Sequence, residues 1–293
     1  MPASSLRYAV VTPVRNEAGN LARLAQSLAE QTVLPVRWIV ADTGSTDETV
    51  DVVRSLAREH AYVRLVEAPG AGRSERGAPI VRGFHHGLTA LDSKVDVVVK
   101  VDADVSFAPD HFARLLAAFA ADESLGIASG SAQELEGGAW RARYNTGSSV
   151  WGAARAYRRA CLDDVLPLEE SMGWDGIDEL KAQHHGWQTR TLVDLPFRHH
   201  RAEGARDGRR WRAWTARGRA SHYMGYRSWY LLLRTFHHAR TEPAALAMLW
   251  GFTAAAVRRR PVCPDPTVRA RLRREQSIRN LRGRRRDALG ASR

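Results

Sequence analysis

The first 135 residues alternate between two kinds of apolar pattern. LRYAVVTPV, VRWIVADTG, YVRLVEAP and DVVVKV are apolar runs with few polar breaks and read as strands buried on both faces. Between them, apolar residues recur at helical spacing. NEAGNLARLAQSLAEQ places Leu21, Leu24 and Leu28 on one face, with Asn16 as the expected N-cap. STDETVDVVRSLARE sets Ser45 and Glu48 at capping-box spacing ahead of Val50, Val53 and Ala57. PIVRGFHHGLTALD reads as a third helix, and APDHFARLLAAFA spaces Phe112, Leu115, Leu116 and Phe119 for a fourth. Strands and helices alternating in this way predict an α/β fold with a mostly parallel central sheet and helices on both faces. Ligands of such sheets bind beyond the carboxyl ends of the strands, where TPVRNE, ADTGSTD and DADV fall.

Residues 136–200 are less regular, with glycines, tryptophans and the cluster GWDGIDELKAQHHGW. Beyond residue 200 the chain becomes rich in arginine and tryptophan. The pattern therefore divides into an α/β domain over 1–200 and a mainly helical, basic region over 201–293. In the second region PAALAMLWGFTAAAV, residues 243–257, is stopped by Arg258, Arg259 and Arg260. It falls short of the ~20 residues a membrane-spanning helix needs. The two readings open to it are a core helix and a helix lying in a membrane interface, and the arginines favour the second.

Charge sharpens the division. The net charge of +12 comes from residues 201–293, with 23 basic and 6 acidic side chains against 21 and 26 in residues 1–200. A basic tail calls for a polyanionic neighbour, an anionic membrane surface ahead of nucleic acid. The two cysteines, Cys161 and Cys263, form no disulfide framework, and the N-terminus shows no signal-peptide core. The expected location is the cytoplasm, peripheral on the inner face of the plasma membrane.

The chemistry concentrates at VVVKVDADV. Two carboxylates, Asp102 and Asp104, close an apolar strand, where unpaired charge is costly. In an extended strand their Cα atoms would lie roughly 6.6 Å apart, so one ion does not reach both without a turn. Asp104 is expected to hold a hard divalent ion, Mg²⁺ or Mn²⁺. Asp102 would reach the metal through water or accept a bond from a ribose hydroxyl, while a diphosphate completes the shell. Asp42 and Glu17, at the ends of the first two strand–loop units, are candidates for base or ribose contacts. Asp175, beside Trp174, is the candidate general base, with Asp178 in reserve. His200 is a candidate metal ligand, His199 its alternate, and Arg201 a brace for the diphosphate.

In this order the motifs resemble the inverting glycosyltransferases of family 2, which have the GT-A fold. The likeness rests on AVVTPVRNEAGNLARLAQSLAEQT, WIVADTGSTDETVDVV, VVVKVDADV and GWDGIDELKAQHHGW, and spans roughly residues 6 to 200. The resemblance implies that Pro13, Glu17 and Asp42 bind the nucleotide, that Asp102 and Asp104 hold donor and metal, and that Asp175 is the base. The family's Glu-Asp pair is Trp174-Asp175 here, its Asp-Asp is Asp42-Thr43, and Arg76 or Arg82 stands in for its arginine before the D-x-D. The Gln-x-x-Arg-Trp motif of processive members is absent, which implies single transfers from a nucleoside-diphosphate sugar to an acceptor hydroxyl.

Two other readings are weighed against this one. A nucleotidyltransferase acting on a sugar phosphate would carry a glycine-rich phosphate loop after the first strand, which TPVRNE lacks. A nucleic-acid-binding protein would use RARLRREQSIRNLRGRRRDALG against phosphates.

Overall fold

The structure is a computed structural model that describes residues 6–68, 77–143, 149–201 and 210–277. Arg76 and, in the basic region, residues 202–209 and 278–293 therefore lie outside the described residues. β1 (Tyr8–Val14), β2 (Arg37–Asp42), β3 (Val63–Glu67) and β4 (Val97–Val101) pair in parallel in the order β3-β2-β1-β4. Alternation along these strands sorts their side chains into two cores. Tyr8, Val10, Trp38, Val40, Val97 and Val99 face α1 (Ala18–Ala29), α2 (Thr49–Glu59) and the helix that follows Asp110. Ala9, Val11, Ile39 and Val98 face α3 (Ala78–Thr89) through Val81 and Phe84. Glycine lets α3 approach the sheet. A Cβ at Gly83 would sit 2.9 Å from Pro13 and from Thr43, and one at Gly87 would overlap Val11.

Beyond β4 the sheet turns antiparallel. The remaining elements are β5 (Val105–Phe107), α4 (His111–Ala121), β6 (Leu125–Glu136), β7 (Ala139–Ala142), β8 (Ala154–Arg158), α5 (Arg159–Val165), α6 (Trp174–His184) and β9 (Gln188–His199). β8 runs antiparallel to β4 and β6, β9 runs parallel to β6, and β5 closes the far edge on β9. The sequence pattern hides this half. β6 and β9 slip register at Gly130/Ser131, opposite the stretch that contains Pro196. A Cβ at Gly130 would overlap the Leu195 carbonyl, so the bulge needs glycine there. Bulges and prolines break the period-2 signal on which strand reading depends.

The C-terminal helices are α7 (Arg210–Tyr223), α8 (Ser228–Ala239), α9 (Ala247–Val257) and α10 (Pro266–Glu275). α7 and α9 cross with their backbones in contact, since a Cβ at Gly218 would overlap the Met248 carbonyl and one at Gly251 the Thr215 carbonyl. Trp214, Leu231, Ala245 and Met248 form a small core there, while Val268 and Leu272 of α10 pack on Ile177 and Leu180 of α6. The segment read as one helix over 243–257 is a 3₁₀ turn, Pro243–Leu246, followed by α9. No helix among the described residues is long and apolar enough to cross a membrane.

Candidate active site

The loops after β1 and β2 are stitched into one unit. Asn16 takes a left-handed φ of 56°. Its backbone N–H donates to Ser45 Oγ at 2.9 Å, and its Oδ1 accepts from the Thr46 N–H at 2.8 Å. It is a clasp between loops and not the cap of α1, which starts after Glu17. Ser45 likewise does not open α2. Its hydroxyl and N–H both donate to the Asp42 carboxylate, which also accepts from Gly44 at 3.1 Å, and the helix begins at Thr49. The carboxylate at the strand end outcompetes the capping box for the hydroxyl. Asp42 is buried and so holds the shape of its loop. Pro13 lies beneath it, against α3.

The chain turns between Asp102 and Asp104, at the end of β4. Lys100, only 2% exposed, sends its ammonium 2.5 Å to Asp102 Oδ1 and 2.8 Å to the Gly152 carbonyl, with the Trp174 ring 5.6 Å away. Asp104 is buried, with His199 Nε2 3.5 Å from its Oδ1 and Arg201 3.4 Å from its Oδ2. Arg201 also forms a two-pronged bridge to Glu17 at 3.1 and 2.9 Å, tying the end of β9 to the first loop.

His199, the alternate, therefore reaches Asp104, and His200 does not. Successive residues of an extended segment point to opposite faces. The His200 ring instead meets Ser106 Oγ at 2.8 Å and packs edge-on against Trp140, although its backbone N–H donates to the Asp104 carbonyl at 2.8 Å. Burial opposes charge on His199, but its hydrogen bond to Asp104 and the charges of Asp104, Asp102 and Glu134 outweigh it and raise its pKa. Glu134 sits 3.4 Å from the other ring nitrogen. Burial, with Arg23 and Arg198 nearby, lowers that of His200.

α6 starts at Trp174, so Asp175 lies in its first turn. Asp175 is half-buried; its Oδ1 accepts from the Gly176 N–H at 3.1 Å, and its Oδ2 looks onto Gly152. Gly152 thus lies between Asp175 and Lys100, beside the first and, through its carbonyl, bonded to the second. Asp178, the reserve base, is enclosed. Arg155 reaches it at 3.0 and 2.6 Å, and the Tyr157 hydroxyl donates to the same carboxylate. With one per cent exposure it has neither a free face nor a path to a substrate. Arg82 is paired at 3.3 Å with Glu170, on the loop that leads to α6. Sequence reasoning missed Lys100 and Arg155. The signal for Lys100 was a charge inside VVVKV two residues from Asp102, on the same side of the strand.

Among the described residues no group of three or more His, Cys, Asp or Glu side chains is arranged to hold a metal ion. Asp104 and His199 together offer one oxygen and one nitrogen donor, a pair suited to a divalent ion whose other ligands come from a bound molecule.

Comparison with known proteins follows this geometry. The succinoglycan biosynthesis protein ExoA of Rhizobium meliloti is 29% identical over 108 residues, 36% of this chain and 31% of ExoA. The undecaprenyl-phosphate 4-deoxy-4-formamido-L-arabinose transferase of Pseudomonas savastanoi pv. phaseolicola is 25% identical over 209 residues, 65% of this chain and 58% of that protein. The chain thus spans about a third to under two thirds of these relatives. Among solved structures, the mannosyltransferase PcManGT of Pyrobaculum calidifontis, in complex with GDP-Man and Mn²⁺, aligns over 100% of this chain and 88% of its own, with a TM-score of 0.57 at 18% identity. TarS residues 1–349 of S. aureus, in complex with UDP-GlcNAc, covers 68% of this chain and 60% of its own, with a TM-score of 0.54 at 20% identity. These likenesses establish the GT-A fold. The family model for glycosyl transferase family 2 matches residues 9–163, more than half of the sequence, and the chain belongs to that family of glycosyltransferases.

Proposed function

We infer that this glycosyltransferase moves a sugar from a nucleoside-diphosphate sugar to an acceptor hydroxyl in a single, metal-dependent, inverting displacement. The observation that carries the reading is the cluster at the end of β4. Asp102 is pinned by Lys100, and Asp104 is flanked by His199 and Arg201, all beside the clasped loops of Glu17 and Asp42. Cations from β4 and from the end of β9 converge on carboxylates at a strand end, as a diphosphate-binding cleft requires. A divalent ion on Asp104 and His199 would supply charge stabilisation for the departing diphosphate.

This chain's own residues do the rest. The Asp42 loop and Pro13 form the floor for the nucleoside, and Asp102 offers an acceptor oxygen to a ribose hydroxyl. Arg201 exchanges Glu17 and Asp104 for phosphate oxygens, to which its planar fork is suited. Asp175 accepts the proton of the attacking hydroxyl across the gap that Gly152 leaves open. Attack from the side opposite the leaving group inverts the anomeric centre. One relative is named for succinoglycan biosynthesis and another as an undecaprenyl-phosphate sugar transferase, which supports an acceptor in cell-envelope or lipid-linked glycan synthesis. The exposed face of α9 and the arginines after it support attachment to an anionic membrane surface.

Thermal stabilisation by nucleoside diphosphates, with Mn²⁺ or Mg²⁺ and again with EDTA, tests the donor half of the reading. Metal-dependent stabilisation by one nucleotide is expected. Asp175→Asn tests the other half. It should keep that stabilisation and lose roughly 10²–10⁴-fold in kcat, the range of general-base catalysis. Release of pyrophosphate in place of a nucleoside diphosphate would point to a nucleotidyltransferase, and a product of retained anomeric configuration would remove the inverting mechanism.

A further inference from the structure

Glu134 is a carboxylate buried in the sheet, 3% exposed on β6. Strand register builds its position. β6 and β9 run parallel, and Glu134 lies opposite His199. Carried on unbroken from Gly130 opposite Leu192, the register would instead set Glu134 against Pro196. The bulge that needs glycine at 130 therefore brings this acid level with this imidazole.

Two carboxylates flank the His199 ring, each at a different nitrogen. Asp104 Oδ1 stands 3.5 Å from Nε2, and Glu134 Oε1 stands 3.4 Å from Nδ1. The second oxygen of Glu134 lies 3.3 Å from Arg143 Nε, just past the end of β7. One acid is thus divided between a guanidinium and the ring. Among the described residues the buried His199 Nδ1 has no hydrogen-bond partner. Glu134 Oε1 stands just beyond the ~3.2 Å reach of a good N–H···O bond. A surface arginine is a poor reason to bury a carboxylate, because desolvation offsets much of what such a pair returns. The imidazole supplies a better one. A histidine that binds a metal through Nε2 carries its proton on Nδ1, and that N–H calls for an acceptor. Glu134 lies against the nitrogen that an ion on Asp104 does not use, so it is an orienting group and not a ligand.

We propose that Glu134 is a positioning residue, accepting a hydrogen bond from His199 Nδ1–H and so turning the Nε2 lone pair toward a divalent ion on Asp104. The proposal rests on the reading of Asp104 and His199 as the ion's protein ligands and adds the residue that orients one of them. Without the Glu134 carboxylate, the ring is free to turn or to carry its proton on Nε2, where it blocks the ion.

Mn²⁺ titration of the full chain with UDP or GDP present, read from the spin resonance of unbound Mn²⁺, tests this. The variants are Glu134→Gln, Glu134→Leu, His199→Ala and the two Glu134 changes made in His199→Ala. Glu134→Leu is expected to weaken Mn²⁺ binding about 10–100-fold, the range carried by such outer partners of ligating histidines. Glu134→Gln, isosteric and still able to accept through its amide oxygen, should lose less than about tenfold. His199→Ala removes the ring through which Glu134 acts, so a Glu134 change added to it should weaken Mn²⁺ no further. Nucleotide binding in EDTA should be the same in wild type and in the Glu134 variants. Should Glu134→Leu fail to fold, the same comparison is read with Glu134→Gln. Mn²⁺ affinity indifferent to Glu134, a loss equally large in the His199→Ala background, or a matching loss of nucleotide binding in EDTA would each overturn the proposal. Mn²⁺ affinity unchanged by His199→Ala, or no Mn²⁺ binding by the wild type, would instead remove the metal reading beneath it, so the two failures are distinct.

Discussion

Gly152 stands where the two halves of the proposed chemistry meet. Its carbonyl accepts from Lys100, which pins Asp102, and a Cβ at this position would sit 3.3 Å from Asp175 Oδ2. Its φ lies outside the left-handed region, so alanine is conformationally allowed there. Gly152→Ala is expected to change stability by less than about 1 kcal/mol while lowering kcat several-fold, because the methyl group occupies the approach to the carboxylate. Steady-state kinetics beside a urea melt would show this, and an unchanged kcat would move the base away from Asp175. At this scale the sequence was readable where a residue type and a strand end coincide. Asp102 and Asp104 stood out because carboxylates end a run of valines, and Asp175 because it sits between tryptophan and glycine. The choice between His199 and His200 was not readable, since it depends on which face of β9 meets Asp104, and the bulge near Gly130 sets that. Ser45 and Asn16 were misread for a related reason: short polar side chains bond whichever backbone is near, and tertiary contact brought the neighbouring loop nearer than the helix.

At the scale of elements, α6 is held by one buried ion network. Arg155 of β8, with no exposed surface, binds Asp178, Glu179 at 3.1 Å, the Asp175 carbonyl at 2.7 Å and the Val150 carbonyl at 2.7 Å. One guanidinium thereby fixes both the helix that carries Asp175 and the segment that faces it. Two carboxylates share this single cation in a dry setting, so burial pushes Glu179 up to about 8 and Asp178 up to about 6. Above a pH of about 6.5, Glu179 is the carboxyl of the two that titrates. The folded chain keeps its proton between the ordinary glutamate value and about 8, where the unfolded chain has lost it. Stability contributed by this group therefore falls as pH rises through that window, at most about 1.4 kcal/mol per pH unit. Glu179→Gln removes the titration and leaves an oxygen for the Val150 N–H, now 2.8 Å from the carboxylate. The variant should gain on wild type between pH 6.5 and 8, read as the difference in urea midpoints; a constant difference would mean that Glu179 is ionised throughout. Arg155→Met is expected to cost about 3–5 kcal/mol, since it strands buried carboxylates. None of this was legible in ARAYR, where an arginine between two alanines looks like surface charge.

At the scale of the whole molecule, the parallel half of the sheet followed from apolar runs and helical spacing, while the basic C-terminal region left two readings of residues 243–257. α9 combines features of both. Ala247, Met248, Gly251 and Ala255 are buried, and the opposite stripe of Leu246, Trp250 and Val257 is exposed, Trp250 by 68%. These positions recur at helical spacing, so one face is core and the other is open. α8 adds Leu232, Leu233 and Phe236, all exposed. A helix of 11 residues is about 16 Å long and does not span a bilayer core of about 30 Å, but it can lie in its surface with arginines at head-group level. Each arginine near an anionic surface is worth about 1 kcal/mol. Replacing Arg258 and Arg259 should therefore weaken binding to phosphatidylglycerol vesicles by about 2 kcal/mol, roughly 30-fold. Asparagine suits Arg259, because it tolerates the left-handed backbone there. Trp250→Ser should weaken the same binding without lowering the thermal midpoint, as the ring contributes little to the core. Vesicle flotation at low and high salt reads both effects, and neutral phosphatidylcholine vesicles should retain little of either protein. Salt-sensitive binding to duplex DNA with no flotation would assign the basic region to nucleic acid and leave the apolar stripe of α9 for a protein partner.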